Sequence, residues 1–275
     1  VFEINSLKNA TPATVSRAGI LFINETDIGW RPFVESWIQA KSEESIKAKL
    51  PGLVDKYVEK IIEGTRKMGT VTPIRVIASL QTFCNLLDGL LGTVPAEDVG
   101  SGVLEHCAVY ALMWAFGGPL NANKQTDFRK EFSLFLTSTF PDVKFPGDGL
   151  IFDYFFSFDE YSALGEASDK YQMSPWNPMV PEYTPVSIGT GPAEQPFKSL
   201  VVPTVDSVRL TQLLQLFVGQ NKHVMLVGTA GTGKTTVVKD YLGNLDESTL
   251  FNVINMNYYT DSAALQQQIE ASIEK

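Results

Sequence analysis

The sequence predicts two α/β portions with an α-helical bundle between them, and three observations lead to this fold class. A glycine-rich loop at residues 228–235 follows an apolar strand and opens a helix, which is the setting of a phosphate-binding loop. Around that loop, from residue 200 onward, strand-like and helical patterns alternate, as is typical of a parallel α/β sheet. Between residues 43 and 140 the apolar residues recur instead with a helical period.

Composition bounds the classes of protein to which the chain can belong. Its 275 residues, of which 44% are hydrophobic and 19% charged, suffice for two domains with buried cores. A net charge of −9 without a Lys/Arg cluster argues against a nucleic-acid partner. The longest apolar run, residues 107–116, has about half the length needed to cross a bilayer, so no membrane partner is expected.

Two cysteines, Cys84 and Cys107, show no metal-ligand spacing and are predicted to be buried free thiols of a reducing compartment. No signal peptide or initiator Met opens the chain, and both ends fall within predicted elements. The sequence therefore looks like a window from a longer polypeptide.

The first 38 residues carry a polar loop, residues 9–17, and then an apolar strand at residues 18–24. Four amphipathic helices follow and predict a small bundle. The first places Val54, Tyr57, Val58, Ile61 and Ile62 on one face. The second is predicted to begin with Thr72 as N-cap and Pro73 in its first turn and to stop at Gly92. The third spans residues 102–116. The fourth carries the apolar residues Phe128, Phe132, Phe135 and Leu136.

Residues 141–198 differ in composition from the segments on either side and predict an ordered connector. Seven of the 15 prolines fall between Pro175 and Pro203, and turn signals lie at 146–149 and 189–192. A flexible linker would not need the large aromatic residues of this segment, so we expect it to lie across a neighbouring surface. These residues are Phe152, Tyr154, Phe155, Phe156, Phe158 and Trp176.

After the connector, strands are predicted at residues 200–203, 223–227 and 250–256, with helices between and after them. Residues 206–218 form the first of these helices. In the last helix Leu265, Ile269 and Ile273 share one side, and Asp261 is predicted as its N-cap.

The glycine-rich loop matches the pattern GxxxxGK[ST] in full and predicts a site for ATP or ADP with Mg²⁺. Glycines let successive backbone N–H groups face phosphates at a helix N-terminus. Lys234 would reach the β- and γ-phosphates, and the Thr235 hydroxyl would be offered to Mg²⁺. The alternative is a glycine turn that matches by chance. The nucleotide-binding residues predicted here are Gly228, Thr229, Ala230, Gly231, Thr232, Gly233, Lys234, Thr235 and Thr236.

Two further observations limit this site. Residues 221–224 resemble a guanine-reading NKxD motif but lack its Asp, so GTP is not indicated. Hydrolysis needs an acidic residue at the end of a later strand, and the strand at 250–256 ends without one. The chain is therefore predicted to bind nucleotide through half a site and to be inactive as an ATPase by itself.

Five motifs stand in order along the chain: ATPATVSRAGILFIN, WAFGGPL, KFPGDGLIFDYFF, VVPTVDSVRL and VMLVGTAGTGKTTV. Together they resemble the motor ring of dynein heavy chains, most closely the axonemal outer-arm β-type. The resemblance covers essentially the whole chain and implies a join between two modules of a six-module AAA+ ring. In the terms of this resemblance, the predicted fold class is α/β P-loop NTPase (AAA+) portions that flank a small subdomain formed by an α-helical bundle.

The resemblance also implies domain bounds. Residues 1–38 would end the large subdomain of the second module, and residues 39–140 would form its helical small subdomain. Residues 141–198 would be the proline- and aromatic-rich connector, and residues 199–275 would begin the third module with its P-loop.

Several residue roles are implied by the resemblance. Arg17 would be an arginine finger that the second module offers to nucleotide in the first; from the residues alone, it reads as a surface arginine or an ion pair. Val202, Pro203 and Thr204 would lie against adenine, with an ordinary strand end as the alternative. Arg209 is interpreted as a residue that solvates the surface of its helix rather than one that contacts phosphate.

The small subdomain lacks the sensor arginine that AAA+ modules often carry. Its third helix has Glu105 and His106 there instead, and nothing singles out Arg75 or Arg129 as a substitute. This absence implies a second module that holds its nucleotide without turning it over.

The implied whole is an ATP-driven, minus-end-directed microtubule motor of the cilium or flagellum axoneme. The third module would hold a regulatory nucleotide. Partners would be the adjacent AAA+ modules, microtubules, which would bind through regions outside this window, and other heavy, intermediate and light chains. A coiled coil would lie elsewhere in the chain. Two alternatives stay open: a stand-alone AAA+ remodelling ATPase, and a helical interaction module with a vestigial nucleotide site.

Overall fold

A computed structural model of the chain describes residues 3–95, 99–123, 125–147, 149–158, 171–185, 189, 200–246 and 248–273. The chain divides into two compact units, Val1–Lys144 and Phe145–Lys275. The first unit is helical, and the second combines a β-hairpin with three helices.

The first unit contains seven α-helices and one π turn within its described residues. They are α1 (Pro12–Arg17), α2 (Glu25–Ile28), α3 (Arg31–Gln39), α4 (Glu44–Thr65), α5 (Val76–Thr93), α6 (Ser101–Leu112), the π turn (Met113–Gly117) that continues α6, and α7 (Phe128–Thr139). All four predicted helices are present as α4 to α7. The sequence analysis missed α3, which packs against α4 and α5.

The core of the bundle lies where the periodicity predicts it. On α4, Val54, Tyr57, Val58 and Ile61 are buried, and Ile62 is half-buried. The other helices contribute residues that are at most 2% exposed, among them Leu80, Phe83, Leu87, Leu104, Cys107, Ala111, Phe132 and Leu136. Cys84 and Cys107 are buried free thiols, as predicted.

The predicted start of α5 at Thr72 and Pro73 is wrong, because the helix begins at Val76. The chain before it is held extended by a short antiparallel contact, in which the N–H of Val71 donates to the carbonyl oxygen of Pro119 at 2.9 Å. Arg75, the N-cap, still has extended backbone angles, with a φ of −80° and a ψ of 148°. The helical conformation therefore begins only at Val76.

The polar loop predicted at residues 9–17 is largely helix α1. Thr11 is its N-cap, and the Thr11 hydroxyl accepts a hydrogen bond from the N–H of Thr14 at 3.3 Å. Pro12 occupies the first turn, where its lack of an N–H has no cost. A Thr-Pro pair before a polar run is a helix-start signal that the sequence analysis did not use.

The strand predicted at residues 18–24 has no regular secondary structure and no strand partner among the described residues. Its side chains are open to solvent, with Leu21 89% and Phe22 83% exposed. An apolar run favours extended backbone, but a strand also needs a neighbour to accept its hydrogen bonds.

In the second unit the connector forms an antiparallel hairpin of β1 (Tyr154–Phe158) and β2 (Tyr171–Pro175), in which Phe156 pairs with Met173. A 3₁₀ turn (Ile151–Asp153) precedes it and another (Asn177–Met179) follows it. Inside the hairpin, the buried hydroxyls of Ser157 and Ser174 lie 2.6 Å apart.

The predicted order of the connector is confirmed for its described residues. Four aromatic residues that suggested it, Phe152, Phe155, Phe156 and Trp176, are at most 4% exposed. Gly149, in the first turn signal, has a φ of +99°, which suits glycine. The second turn signal, at 189–192, lies almost wholly outside the described residues.

The α/β part contains α8 (Val205–Val218), α9 (Lys234–Gly243) and α10 (Ser262–Ile273). The helices match their predictions, and Asp261 caps α10 by accepting from the N–H of Ala264 at 2.8 Å. Contacts between α8 and α9 form a small core around Leu214, Val237 and Tyr241.

The three strands predicted around these helices are wrong as sheet strands. Residues 200–203, 223–227 and 250–256 have no regular secondary structure, and in the described part of this unit they pair in no sheet. Their apolar side chains are correspondingly exposed, as for Met225 at 84% and Leu250 at 94%. The sequence pattern predicts backbone extension; pairing requires neighbouring strands.

Candidate functional site

The glycine-rich loop has the backbone conformation that a phosphate cradle requires. Gly231 and Gly233 both have a φ of +79°, a region that side chains with a Cβ avoid. Residues 228–233 are exposed. The loop therefore curls in a way that only glycine allows readily, and it presents its backbone to solvent.

Helix α9 begins directly after this loop, at Lys234. The N–H groups of Lys234, Thr235 and Thr236 have no acceptor within the helix, since the N–H of Val237 is the first to find one, on the Gly233 oxygen at 2.9 Å. Free N–H groups and the helix dipole together favour an anion at this end. The donor set fits a polyphosphate.

The ammonium of Lys234 turns back over the loop. Its Nζ donates to the carbonyl oxygens of Gly228 at 3.0 Å and Thr229 at 2.5 Å, and to the Thr232 hydroxyl at 3.1 Å. The positive charge is thus held at the loop itself, beside exposed Ala230 at its tip. Thr235 and Thr236 follow on the helix with exposed side chains, so the Thr235 hydroxyl is available to a cation bound with the phosphates.

A groove of about 390 Å³ lies between the connector and α8, next to the segment predicted to contact adenine. The connector contributes Trp176, Met179 and Pro181 to its lining, and the segment before α8 contributes Val201 and Pro203. The helices add the polar side chains of Ser207, Thr211, Gln212, Gln215 and Asp240. A lining that combines apolar side chains with hydrogen-bonding groups suits a flat heteroaromatic ring.

The three residues predicted at the adenine have different surroundings. Only Pro203 lines the groove, whereas Val202 is 49% exposed. Thr204 instead forms a capping box with Ser207, in which the Thr204 hydroxyl accepts from the Ser207 N–H at 3.2 Å. The structure therefore gives Thr204 a helix-capping role.

Sequence reasoning missed the polar side of the groove. Ser207, Thr211 and Gln215 recur at four-residue intervals on α8, which places them in one row on the helix surface. A polar row on a helix whose other residues are mostly apolar was the available signal.

Arg17 is the last residue of α1 and is exposed. In the described residues no hydrogen bond or ion pair is found for its guanidinium. An arginine in this state keeps all five N–H donors for a partner. The ion pair that the residues alone suggested is thus not formed within this part of the chain.

Glu105, which stands where a sensor arginine was sought, is bound inside the helical bundle. Its Oε1 accepts hydrogen bonds from Lys56 Nζ at 2.7 Å and from the Tyr57 hydroxyl at 2.5 Å. Lys56 also donates to Asp142 at 2.6 Å. Partial burial by itself would raise the pKa of Glu105, but the bonds from Lys56 and Tyr57 outweigh it and hold that pKa below its usual 4.5.

His106 and Arg129 of the helical bundle are also held locally. His106 Nδ1 lies 2.8 Å from the carbonyl oxygen of Gly102, one turn earlier on α6. Arg129 donates through Nη2 to the carbonyl oxygen of Gly118 at 2.7 Å. Arg129 therefore secures the end of the π turn.

The described residues also bear on metal binding and on membrane insertion. Nowhere in this part of the chain do three or more His, Cys, Asp or Glu side chains group in a way that could hold a metal ion. None of the helices described there combines the length and apolar character needed to cross a membrane.

Comparison with known families gives two matches. Residues 190–275 match the P-loop containing dynein motor region, which includes the glycine-rich loop and α8 to α10. Residues 50–163 match the dynein heavy chain AAA lid domain, which covers most of the helical bundle.

Among individual proteins, the chain is 39% identical over 281 residues to dynein axonemal heavy chain 9 of Homo sapiens. It is 38% identical over 280 residues to the ciliary dynein beta chain of Tripneustes gratilla. It is 36% identical over 283 residues to the flagellar outer arm dynein beta chain of Chlamydomonas reinhardtii. Each alignment covers the whole of this chain but only 6% of the relative.

Proposed function

The chain belongs to the dynein heavy chain family, and from this premise we propose that residues 228–236 grip the phosphates of a regulatory nucleotide. The observation that carries the proposal is the loop itself, where two glycines with a φ of +79° lead into the exposed N-terminus of a ten-residue helix. A loop of this form binds phosphate through backbone N–H groups and a single lysine.

Each residue of the loop has a distinct task in this proposal. The N–H groups at the start of α9 bind phosphate oxygens, and Lys234 exchanges its loop carbonyls for the β- and γ-phosphates. Thr235 offers its hydroxyl to Mg²⁺, which when bound neutralises phosphate charge. ATP or ADP fits, because the groove between the connector and α8 combines the apolar ring of Pro203 with polar groups that could read a base. Val202 and Thr204 complete that segment.

Arg17 is proposed as an arginine finger for the main hydrolysis site of the adjacent module. Its exposed guanidinium at the end of a short helix is suited to neutralise charge that develops on a γ-phosphate. In P-loop enzymes such a finger contributes roughly 10³–10⁵ in rate.

The whole protein is proposed to be an ATP-driven, minus-end-directed microtubule motor. The relatives are named as axonemal, ciliary and flagellar dyneins, which places the proposed site of action in the axoneme of a cilium or flagellum. Partners in this proposal are the adjacent AAA+ modules, microtubules, and other heavy, intermediate and light chains. The chain contributes a nucleotide grip, a finger and the helical bundle between them.

ATP turnover of the complete motor, with and without microtubules, tests both sites. Arg17→Ala should abolish most turnover, while Arg66→Ala, which removes an exposed arginine at the end of α4, should leave it unchanged. Lys234→Ala should reduce microtubule stimulation more than basal turnover. Unaltered turnover in Arg17→Ala would refute the finger, and unaltered stimulation in Lys234→Ala would refute the regulatory site.

A further inference from the structure

The backbone carbonyl of Phe152 accepts two hydrogen bonds from side chains far away in sequence. Arg209 Nη1, on α8, donates to it at 3.1 Å, and Trp176 Nε1, after the hairpin, also donates to it at 3.1 Å. Phe152 is 2% exposed and Trp176 is 1% exposed. One bond to this buried oxygen thus joins the connector to α8, and the other holds Trp176 against Phe152 within the connector.

The two donors belong to the connector and to α8, the elements between which the groove described above lies. Trp176 lines the groove together with Met179 and Pro181 from the connector. Arg209 lies in the second turn of α8, shortly after Pro203, which also lines the groove. The shared contact at Phe152 therefore constrains the distance between Trp176 and α8.

The orientation of the Arg209 guanidinium is set by a second partner. Its Nη2 is paired with the carboxylate of Asp206, one turn earlier on α8. Asp206 is 76% exposed, so this ion pair contributes little energy. Its effect is geometric, because a guanidinium held at one nitrogen presents the other in a fixed direction.

We propose that Arg209 is a positioning residue for the base-binding half of the nucleotide site. It does not line the groove and so acts only by holding the connector side, through Phe152 and Trp176, at the distance from α8 at which a purine base fits. This rests on the proposed function. It goes beyond that function by making base affinity depend on the connector, and it leaves phosphate binding to the loop alone.

The test uses the complete motor and labelled ADP displaced by unlabelled ADP or by inorganic tripolyphosphate. The labelled ADP that binds to the unaltered motor but not to Lys234→Ala is assigned to this site. Arg209→Met keeps the aliphatic length but removes the donors and the charge. It should weaken displacement by ADP about tenfold, the equivalent of one charge-assisted hydrogen bond, and leave displacement by tripolyphosphate unchanged.

Two variants serve as controls. Lys239→Met removes the same charge from an exposed position on α9 and should change neither competitor. Arg209→Lys, which retains the charge and can donate to the Phe152 oxygen, should recover part of the affinity for ADP. Thermal unfolding of each variant reports whether the fold is retained.

The possible outcomes separate the two proposals. Wild-type affinity for ADP in Arg209→Met overturns the inference, as does an equal loss for ADP and tripolyphosphate, or an equal loss in Lys239→Met. If the unaltered motor shows no binding that depends on Lys234, the proposed nucleotide site itself fails. Selective loss of ADP in Arg209→Met supports both.

Discussion

Lys56 on α4 and Glu105 on α6 form an ion pair with 2.7 Å between Nζ and Oε1. The pair sits at the edge of the core, with the two side chains 39% and 22% exposed. The neighbouring Tyr57, whose ring is buried, reaches the same carboxylate oxygen at 2.5 Å. Two adjacent residues of one helix thus hold a single carboxylate of another.

This arrangement predicts a stability that depends on pH. Since the pKa of Glu105 is lower in the folded chain than its usual 4.5, its contribution is fully present above about pH 4.5 and is lost as the pH falls through the folded pKa. We expect Glu105→Gln to reduce the free energy of unfolding at pH 7 by about 1–2 kcal/mol, measured by denaturant titration. The difference from the unaltered chain should shrink towards pH 3.

A matched control is Glu44→Gln on α4. The Glu44 carboxylate is 85% exposed and lies 3.6 Å from Lys47, so its removal should change stability by less than about 0.5 kcal/mol. A difference for Glu105→Gln that stays constant between pH 7 and pH 3 would contradict the lowered pKa.

Two glycines of α4 should respond in opposite directions to alanine. A Cβ at Gly64 would lie 2.3 Å from the ring of Phe135 on α7, whereas a Cβ at exposed Gly52 meets nothing within 4 Å. We expect Gly64→Ala to lower the free energy of unfolding by about 1–3 kcal/mol. Gly52→Ala should raise it by about 0.5–1 kcal/mol through helix propensity. Denaturant titration measures both, and equal effects would disprove the close packing of α4 on α7.

The glycines of the phosphate loop allow a comparison of the same kind. Gly233 has a φ of +79°. Alanine at this position either keeps the loop conformation at a strain of about 1–2 kcal/mol or makes the loop adopt another conformation. Gly228 lacks this strain, and its Cβ would meet Thr232 and Lys234 at ordinary distances of 3.6 to 3.9 Å. We expect Gly233→Ala to weaken binding of labelled ADP by about tenfold, and Gly228→Ala by far less. The reverse order would show that the loop binds in another conformation.

Both thiols should resist alkylation in the folded chain. Burial raises the pKa of Cys84 and of Cys107 to about 12, and only the thiolate reacts. At pH 8 we expect iodoacetamide to modify them at least about 1000-fold more slowly than in denaturant, as followed by mass spectrometry. Ser36→Cys, at an exposed position of α3, supplies a reactive control. Rapid modification of either native thiol would indicate that the bundle opens.

The helices could be predicted from the sequence because their information is local. The recurrence of Val54, Tyr57, Val58 and Ile61 marks the buried face of α4, and Asp261 marks the start of α10. Helix periodicity and capping depend on residues within a few positions of each other, so one chain segment is enough to read them.

Features that depend on distant partners were not predicted. The contact between Val71 and Pro119 before α5 joins residues distant in sequence, and the partner of Arg209, which was read as a solvating residue, is Phe152, 57 positions away. For the site, the loop from Gly228 to Thr236 was predicted from its pattern. The groove was not, because its lining combines residues of the connector with residues of α8.

The π turn at Met113–Gly117 has a consequence for how the length of this chain can change in evolution. It holds more residues per turn than the α-helix that it continues, and all five of its residues are buried. One wide turn holds one residue more than an α-helical turn at nearly the same total rotation, so the helix before it and the chain after it stay in phase. Deleting one of the five residues would therefore restore ordinary helical geometry and leave Gly118 and the contact of Pro119 with Val71 facing the same way. A loss of one residue here would disturb the later chain less than a loss elsewhere in α6, where it would rotate every following residue by about 100°.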